Sequence, residues 1–350
     1  MNRRKYTRTL TAALALGATL SLVAGCSEEG DPISFDVPRS DKPAQRQAVQ
    51  RHKPGGTGAA APETVFPTGP ESSFTEQRAL PDGTKIGVTE LHGEKSGFTG
   101  RVWVWAPKQY FDPKYANSGF PVLISLPGGK GFPTNYWTGK GIDLPGHISR
   151  WVDEGKSKPF IVVMPVLNPD AEFYYDGSDI PGQPKMGTWL TEDVPDFVRA
   201  NFRTFKSRDG WAFMGSSSGG FAGLKSVLQK PDKFKAVIAS GPDTVPDSPL
   251  WKGYEKEQQE NNPEKLAAAL GLKPDIPANE VFVAFQIGTK ESGLRNLRSF
   301  MRHYTKGPVK TRIEIIQDGE HNARSYMRGM DDGTMAWISA RIQGPIPSSV

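Results

Sequence analysis

The chain has 350 residues, with 43 lysines and arginines against 38 aspartates and glutamates, and a single cysteine. This length suits one large α/β domain or two small domains. Residues 1–25 hold four of the 43 basic residues and no acidic one, so without them 39 basic residues face 38 acidic ones, a net charge of +1. That balance, with no basic cluster among aromatic residues, argues against nucleic-acid binding. One cysteine cannot form an intrachain disulfide or a thiolate metal site.

The first 25 residues have the features of a cleaved export signal. Four basic residues within positions 3–8 precede an apolar run from Leu10 to Gly25, which is short for a membrane span and ends in small residues. The run ends in the letters VAGC at Cys26, which resembles the bacterial lipobox, where the cysteine receives diacylglycerol. The alternative is an ordinary signal peptide with a chance cysteine. We expect a lipoprotein signal peptide over residues 1–25 and an extracytoplasmic protein held on the cell membrane through lipidated Cys26.

The next segment differs in composition from the remainder of the chain. From Ser27 to about Pro81 apolar residues are sparse, and proline, glycine, alanine, glutamine and charged residues are frequent. Such a segment buries too little apolar surface to offset the entropy lost on ordering. Residues 26–81 are therefore predicted to be a flexible tether, and residues 82–345 a single folded domain.

Within that domain, β-rich runs alternate with helical stretches, which predicts an α/β fold with a mixed, mainly parallel sheet and helices on both faces. The first two strands alternate apolar and polar residues, as in an antiparallel edge hairpin, and later ones are continuously apolar. Pro195 should start or bend its helix near Asp193. The predicted strands are Lys85–Leu91, Arg101–Trp105, Val122–Leu126, Phe160–Pro165, Trp211–Met214, Ala236–Ser240, Val281–Ile287 and Arg312–Ile316. The predicted helices are His147–Glu154, Thr191–Phe202, Phe221–Leu228, Arg295–Tyr304 and Met330–Ile342.

One motif carries chemistry directly. Residues 215–219, GSSSG, fit the pattern G-x-S-x-G between a predicted strand and a predicted helix. This strand–turn–helix context is typical of a nucleophile elbow, in which only small residues fit two positions to either side of the serine. Gly215 and Gly219 supply them for Ser217, which is the candidate nucleophile. The alternative is a plain glycine-serine turn.

A serine hydroxyl needs a general base to remove its proton. His321 lies in a polar loop after the last predicted strand, where the chain order serine, acid, histidine places the base. The other histidines lie in the tether, ahead of the sheet centre or in predicted helices: His52, His92, His147 and His303.

The triad acid should lie between these two residues at the carboxyl end of a strand. Glu291 follows the strand at 281–287 and is favoured. Asp243 follows the strand at 236–240 and is the rival, with a turn-capping role as its structural alternative.

A tetrahedral intermediate also needs backbone N–H donors for its oxyanion. Ser218, directly after the nucleophile, should give one. Gly129 should give the other, because the loop after the strand at 122–126 begins with Pro127, which has no N–H; the alternative is a flexible glycine turn. Several aromatic residues are candidates for an acyl or sugar pocket or for the core: Tyr136, Trp137, Tyr174, Tyr175 and Trp189.

Six short segments together carry a family resemblance: residues 161–165, 190–195, 231–234, 240–241, 288–291 and 320–322. With them, residues 84–342 resemble the Putative esterase family, which includes esterase D-like enzymes, feruloyl esterases and mycolyltransferases of the antigen 85 type. The resemblance implies an α/β-hydrolase fold, Glu291 as triad acid, and Gly129 and Ser218 as oxyanion hole. The first loop departs from the mycolyltransferases, because Pro127-Gly128-Gly129-Lys130 replaces their Asp-Gly followed by arginine, which holds sugar hydroxyls.

The sequence therefore predicts a secreted, lipid-anchored serine esterase that cleaves a small-molecule or envelope carboxylic ester through an acyl-enzyme. It predicts no cofactor, no metal and no nucleic-acid partner. Two alternatives stay open: a cell-envelope acyltransferase that passes the acyl group to a sugar or another hydroxyl, and a non-catalytic ligand-binding lipoprotein of the same fold.

Overall fold

The computed structural model describes residues 30–36 and 61–348. Within these residues, ten strands form one sheet in the order β1-β3-β4-β5-β7-β6-β9-β10-β11-β12, and β2 pairs with β8 separately. The strands are β1 Pro32–Ile33, β2 Thr64–Val65, β3 Phe74–Ala79, β4 Lys85–His92, β5 Thr99–Trp105, β6 Val122–Leu126, β7 Ile161–Pro165, β8 Thr204–Phe205, β9 Trp211–Ser216, β10 Ala236–Ser240, β11 Val281–Gly288 and β12 Val309–Ile316.

Helices connect the strands and cover the sheet. A π-helical turn, Trp189–Asp193, joins α2 to α3, and a second, Met330–Thr334, joins α8 to α9. Pro195 is in the first turn of α3, where its missing N–H removes no helical hydrogen bond. The helices are α1 Leu144–Asp153, α2 Met186–Thr188, α3 Val194–Asn201, α4 Ser218–Gln229, α5 Glu255–Glu260, α6 Pro263–Leu270, α7 Leu294–His303, α8 Ala323–Gly329 and α9 Met335–Ser339.

The sheet is antiparallel at one end and parallel through the rest. β6, β7 and β9 to β12 are parallel neighbours, so their carboxyl ends meet at one edge. β6, β7, β9, β10 and β11 are continuously buried because helices cover both faces, whereas β12, at the edge of the sheet, is only partly buried. The predicted α/β-hydrolase fold is thereby confirmed. β4 and β5 pair antiparallel as predicted, but they are not the edge, because β3 and β1 extend the sheet beyond them.

The predicted tether, residues 26–81, is wrong over its last part. Phe74 begins β3, is 6% exposed and packs edge-on against Phe35 with ring centroids 5.0 Å apart. Both rings also pack against Phe202. A few aromatic anchors and strand pairing therefore order a segment whose overall composition is polar. The domain predicted to begin at residue 82 includes residues 61–81 and also residues 30–36.

Several N-terminal predictions lie outside the described residues. They are the signal peptide of residues 1–25, the lipidation site Cys26 and the middle of the tether, residues 37–60. Among the described residues, no helix is long and apolar enough to cross a membrane.

Because Phe74 is buried among other rings, Phe74→Ala should lower the free energy of unfolding by about 3 kcal/mol through lost burial and an unfilled cavity. Leu272→Ala is the control, because Leu272 is 89% exposed and should change stability by less than about 0.5 kcal/mol. Urea denaturation followed by tryptophan fluorescence measures both. Equal free energies of unfolding for the Phe74 variant and the wild type would mean that residues 74–79 belong to the tether and not to the folded domain.

Candidate active site

Ser217 occupies a sharp turn between β9 and α4. Its backbone has φ 53° and ψ −124°, a conformation that non-glycine residues seldom adopt, and its N–H donates to the Ser240 carbonyl at 2.8 Å. A side-chain carbon on Gly215 would lie 2.4 Å from the Gly219 carbonyl carbon, so strand and helix approach as closely as the motif requires. The turn therefore presents the Ser217 side chain at the carboxyl edge of the sheet.

The two neighbouring serines are engaged elsewhere. Ser216 is buried at the end of β9, and its hydroxyl pairs with the Tyr136 hydroxyl. The Ser218 hydroxyl donates to the Gly129 carbonyl at 2.7 Å. Among the described residues, no side-chain hydrogen bond occupies Ser217, which leaves its hydroxyl as the one available for chemistry in this motif.

His321 and Glu291 come together from two different loops. Glu291 follows β11 and His321 follows β12, and His321 Nδ1 lies 2.6 Å from Glu291 Oε2. The second carboxylate oxygen, Oε1, accepts the Gly288 N–H at 2.6 Å. The Glu291 side chain is 5% exposed and that of His321 is 52% exposed, so a buried carboxylate holds a more accessible imidazole.

This pairing sets the charge of both groups. Burial opposes ionisation of Glu291, but hydrogen bonds from His321, Gly288 and Tyr326 outweigh it and lower the pKa of its carboxyl. The hydrogen bond to Glu291 raises the pKa of His321 against the opposing effect of desolvation. The carboxylate is therefore ionised when the imidazole is neutral, as a general base and its orienting acid require.

Sequence reasoning missed Tyr326, which lies on α8. Its hydroxyl donates to Glu291 Oε2 at 2.8 Å and lies 2.9 Å from His321 Nδ1. Burial and the adjacent carboxylate raise the pKa of this hydroxyl, so it stays a donor. Gly241 makes room for the group, since a side-chain carbon there would lie 2.1 Å from the Tyr326 hydroxyl oxygen, and its φ is +54°. No local pattern in the sequence indicates this contact, because His321 lies in the loop before α8 and the two side chains meet only in the folded chain.

The backbone links the serine to the histidine pair. Ser217 bonds to Ser240, and the next residue, Gly241, packs against both Glu291 and His321. No hydrogen bond joins the Ser217 and His321 side chains within the described part of the chain, and such contacts often tighten only when substrate binds. Asp243 acts on His321 through its charge alone, whereas Glu291 contacts the imidazole directly.

The glycine loop after β6 lies against the elbow. The Gly128 N–H donates to the Tyr136 hydroxyl at 2.8 Å and is thus occupied. Gly129 has φ +65°, and its N–H has no partner among the described residues. Ser218 is the first residue of α4, where helical N–H groups lack intrahelical acceptors. Two N–H groups are therefore available beside Ser217, as an oxyanion hole needs.

The five aromatic candidates divide between core and site. Trp137 and Trp189 are fully buried and Tyr175 is 4% exposed, so these three belong to the core. Tyr136 holds the glycine loop to the elbow, and Tyr174 is partly exposed with the Lys130 ammonium 3.6 Å from its ring centroid. No cluster of three or more histidine, cysteine, aspartate or glutamate side chains suited to a metal occurs among the described residues.

Solved structures with this fold include several hydrolases. A ferulic acid esterase matches with a TM-score of 0.59 at 20% identity, over 74% of this chain and 99% of its own. An S-formylglutathione hydrolase from Agrobacterium tumefaciens has a TM-score of 0.57 at 19% identity, over 77% of this chain and 98% of its own. A fluorophosphonate-binding serine hydrolase of Staphylococcus aureus has a TM-score of 0.56 at 15% identity, over 73% of this chain and 98% of its own. At these identities the likeness shows the fold.

Sequence comparison identifies the family. An uncharacterized protein of Corynebacterium glutamicum is 25% identical over 176 residues, which are 49% of this chain and 39% of that relative, so the match spans well under half of the relative's length. The model of the Putative esterase family matches residues 100–337, which include the elbow, the glycine loop and the Glu291–His321 pair. The chain therefore belongs to the Putative esterase family of serine hydrolases, as its sequence resemblance predicted.

Proposed function

We propose that this protein is a serine esterase that cleaves a carboxylic ester through an acyl-enzyme. His321 removes the Ser217 proton as the serine oxygen attacks the ester carbonyl carbon, and the Gly129 and Ser218 N–H groups stabilise the resulting oxyanion. His321 then gives that proton to the leaving alcohol as the ester C–O bond breaks. A water molecule, deprotonated by His321, then attacks the acyl carbon, and the bond to the Ser217 oxygen breaks as His321 returns the proton to that oxygen, which releases the carboxylic acid and restores the serine. Glu291 keeps Nδ1 protonated and stabilises the imidazolium in both halves.

One observation carries this proposal: the 2.6 Å contact between His321 and a buried Glu291, beside a serine in a strained elbow. A protein that used this fold only to bind a ligand would have no need to hold a carboxylate ionised against an imidazole. Family membership supports an ester as substrate, and two of the structural neighbours are named as a ferulic acid esterase and an S-formylglutathione hydrolase, the latter acting on a thioester.

Hydrolysis is favoured over acyl transfer by the accessibility of the base. Transfer to a sugar or another hydroxyl requires that water be kept from the acyl-enzyme. The His321 side chain is 52% exposed, so water reaches the base freely in this structure. The glycine loop also lacks the arginine that follows Asp-Gly in the mycolyltransferases, since Lys130 stands there and lies over the Tyr174 ring. Both features support water as the acceptor.

The location we propose is the outer face of the cell membrane, through lipid on Cys26. The support is the N-terminal sequence alone: basic residues, a short apolar run, small residues and then the single cysteine. The segment 30–36 pairs with β3 through Pro32 and Ile33, so only residues 27–29 would lie between the lipid on Cys26 and the described domain.

Glu291→Gln should reduce turnover of 4-nitrophenyl butyrate by about three orders of magnitude, because the amide cannot stabilise the imidazolium. It should also move the acidic limb of the kcat/KM profile to lower pH. The contact with Glu291 raises the pKa of His321, so its loss lets the imidazole stay neutral, and hence basic, at lower pH. Steady-state kinetics from pH 4 to 9, a range set to span the imidazole titration, measure both effects.

Asp243→Asn is the matched control, because Asp243 carries the same charge near His321 without a hydrogen bond to it. It should keep most of the activity. A greater loss of activity in the Asp243 variant than in the Glu291 variant would contradict the assignment of Glu291 as the triad acid.

Cys26→Ser should release the protein from the membrane fraction or leave an unprocessed precursor, because serine has no thiol to receive the diacylglycerol. Ser27→Ala, next to the proposed lipidation site, should leave the protein in the membrane fraction. Ultracentrifugation followed by mass spectrometry of the N-terminal peptide distinguishes the outcomes. Membrane association of the Cys26 variant equal to that of the wild type would contradict lipidation.

A further inference from the structure

A concave site lies against α8, the helix that carries Tyr326. This α8 cleft has a volume of about 210 Å³ and separates α8 from α1 and the segment before it. Ile142 and Met327 give it an apolar floor, and Met327 is 6% exposed. The polar side chains that line it are His147, Arg324, Arg328 and Asp331.

The α8 cleft carries uncompensated positive charge. Arg324 and Arg328 are four residues apart on α8, so they lie on the same face, and both are exposed. Among the described residues, neither pairs with a carboxylate, and Arg328 makes only a 3.5 Å contact with the Gln317 carbonyl. Two guanidinium groups with free N–H donors therefore face the same opening.

The one acidic side chain in the α8 cleft is already neutralised. Asp331 lies 3.2 Å from Arg150 and 3.2 Å from Lys156, and it accepts the Trp151 indole N–H at 2.8 Å. Burial and the neighbouring Arg150 lower the pKa of His147, so that ring is neutral at neutral pH. The charge that a ligand would meet in this cleft is therefore that of the two arginines.

The α8 cleft and the triad share one short helix. Tyr326 on α8 contacts Glu291 and His321, while Arg324, two residues before it, lines the cleft. Across the opening, a side-chain carbon on Gly141 would lie 3.9 Å from Arg324 Nη2. Gly141 is five residues after Tyr136, which holds the oxyanion loop. Arg324 is also only three residues after His321, so their Cα atoms are at most about 11 Å apart and the cleft adjoins the catalytic site at the start of α8.

We propose that the α8 cleft binds an anionic group, a carboxylate or a phosphate, carried by the ester that Ser217 cleaves. Arginine presents several N–H donors in a planar fork that matches both groups, and two arginines one turn apart suit an anion better than any neutral polar group. The apolar floor of Ile142 and Met327 accommodates the carbon chain that connects the anion to the ester. The substrate class is thus an amphipathic anionic ester. This inference rests on the proposed function, whose test is separate.

Four substrates test it: neutral phenyl butyrate, 4-butyryloxybenzoate, 4-butyryloxyphenyl phosphate and monophenyl glutarate. The first carries no anion. The second and third carry a carboxylate and a phosphate on the alcohol part, and the fourth carries a carboxylate on the acyl chain. The wild type should prefer at least one anionic ester over the neutral one by about tenfold in kcat/KM, and the preference identifies the anion and its side of the ester. Arg324→Gln with Arg328→Gln should abolish that ratio, and raised ionic strength should weaken it, because both arginines are exposed. Arg298→Gln, an exposed arginine on α7, should preserve the ratio.

A binding measurement separates failure of this inference from failure of the proposed function. In a Ser217→Ala background, calorimetry with the preferred anionic ester should give a dissociation constant about tenfold weaker when both arginines are replaced. If no ester is turned over, this titration is run with 4-butyryloxybenzoate. Hydrolysis of phenyl butyrate without any anionic preference, or equal binding with and without the two arginines, would overturn the inference and leave the esterase proposal intact.

Discussion

The backbone of Ser217, at φ 53° and ψ −124°, stays in this strained conformation because the surrounding structure permits no relaxed alternative. Its N–H is bound to Ser240 on the next strand, and the glycines around it let α4 pack closely on β9. The parallel pairing of β6, β7 and β9 to β12 places the carboxyl ends of these strands at the same edge of the sheet. Gly129, Glu291 and His321 follow three of those ends, so one constraint on the sheet edge brings together the proposed nucleophile, acid, base and N–H donors.

Hydrogen bonds to Glu291 then determine how the site works. The carboxylate accepts from Gly288, from the imidazole and from Tyr326, so it is fixed in position and kept ionised although its side chain is 5% exposed. Tyr326 also connects the Glu291–His321 pair to α8, whose other side carries Arg324 and Arg328, two arginines with no carboxylate partner among the described residues. A substrate bound in the α8 cleft would therefore contact the same helix that, through Tyr326, hydrogen-bonds to Glu291.

Much of the fold followed from the sequence because local patterns specify it. Continuous apolar runs predicted most of the parallel strands, and the sequence GSSSG between a strand and a helix predicted the elbow. β3 did not follow, because Phe74 acquires its burial from Phe35 and Phe202, which are distant in sequence. The contact of Tyr326 with Glu291 depends equally on tertiary structure. The place of Glu291 after the strand at 281–287 and the family resemblance favoured it over Asp243, and the direct contact with His321 agrees with that choice.

The most direct measurement of the central claim is labelling of the folded protein with a fluorophosphonate, followed by peptide mapping. This reagent reacts with a serine that a base activates and that N–H donors support. One probe per molecule should attach at Ser217, none should attach after Ser217→Ala, and His321→Ala should slow the reaction by orders of magnitude. Absence of labelling in folded wild-type protein, or attachment at another serine, would contradict the account.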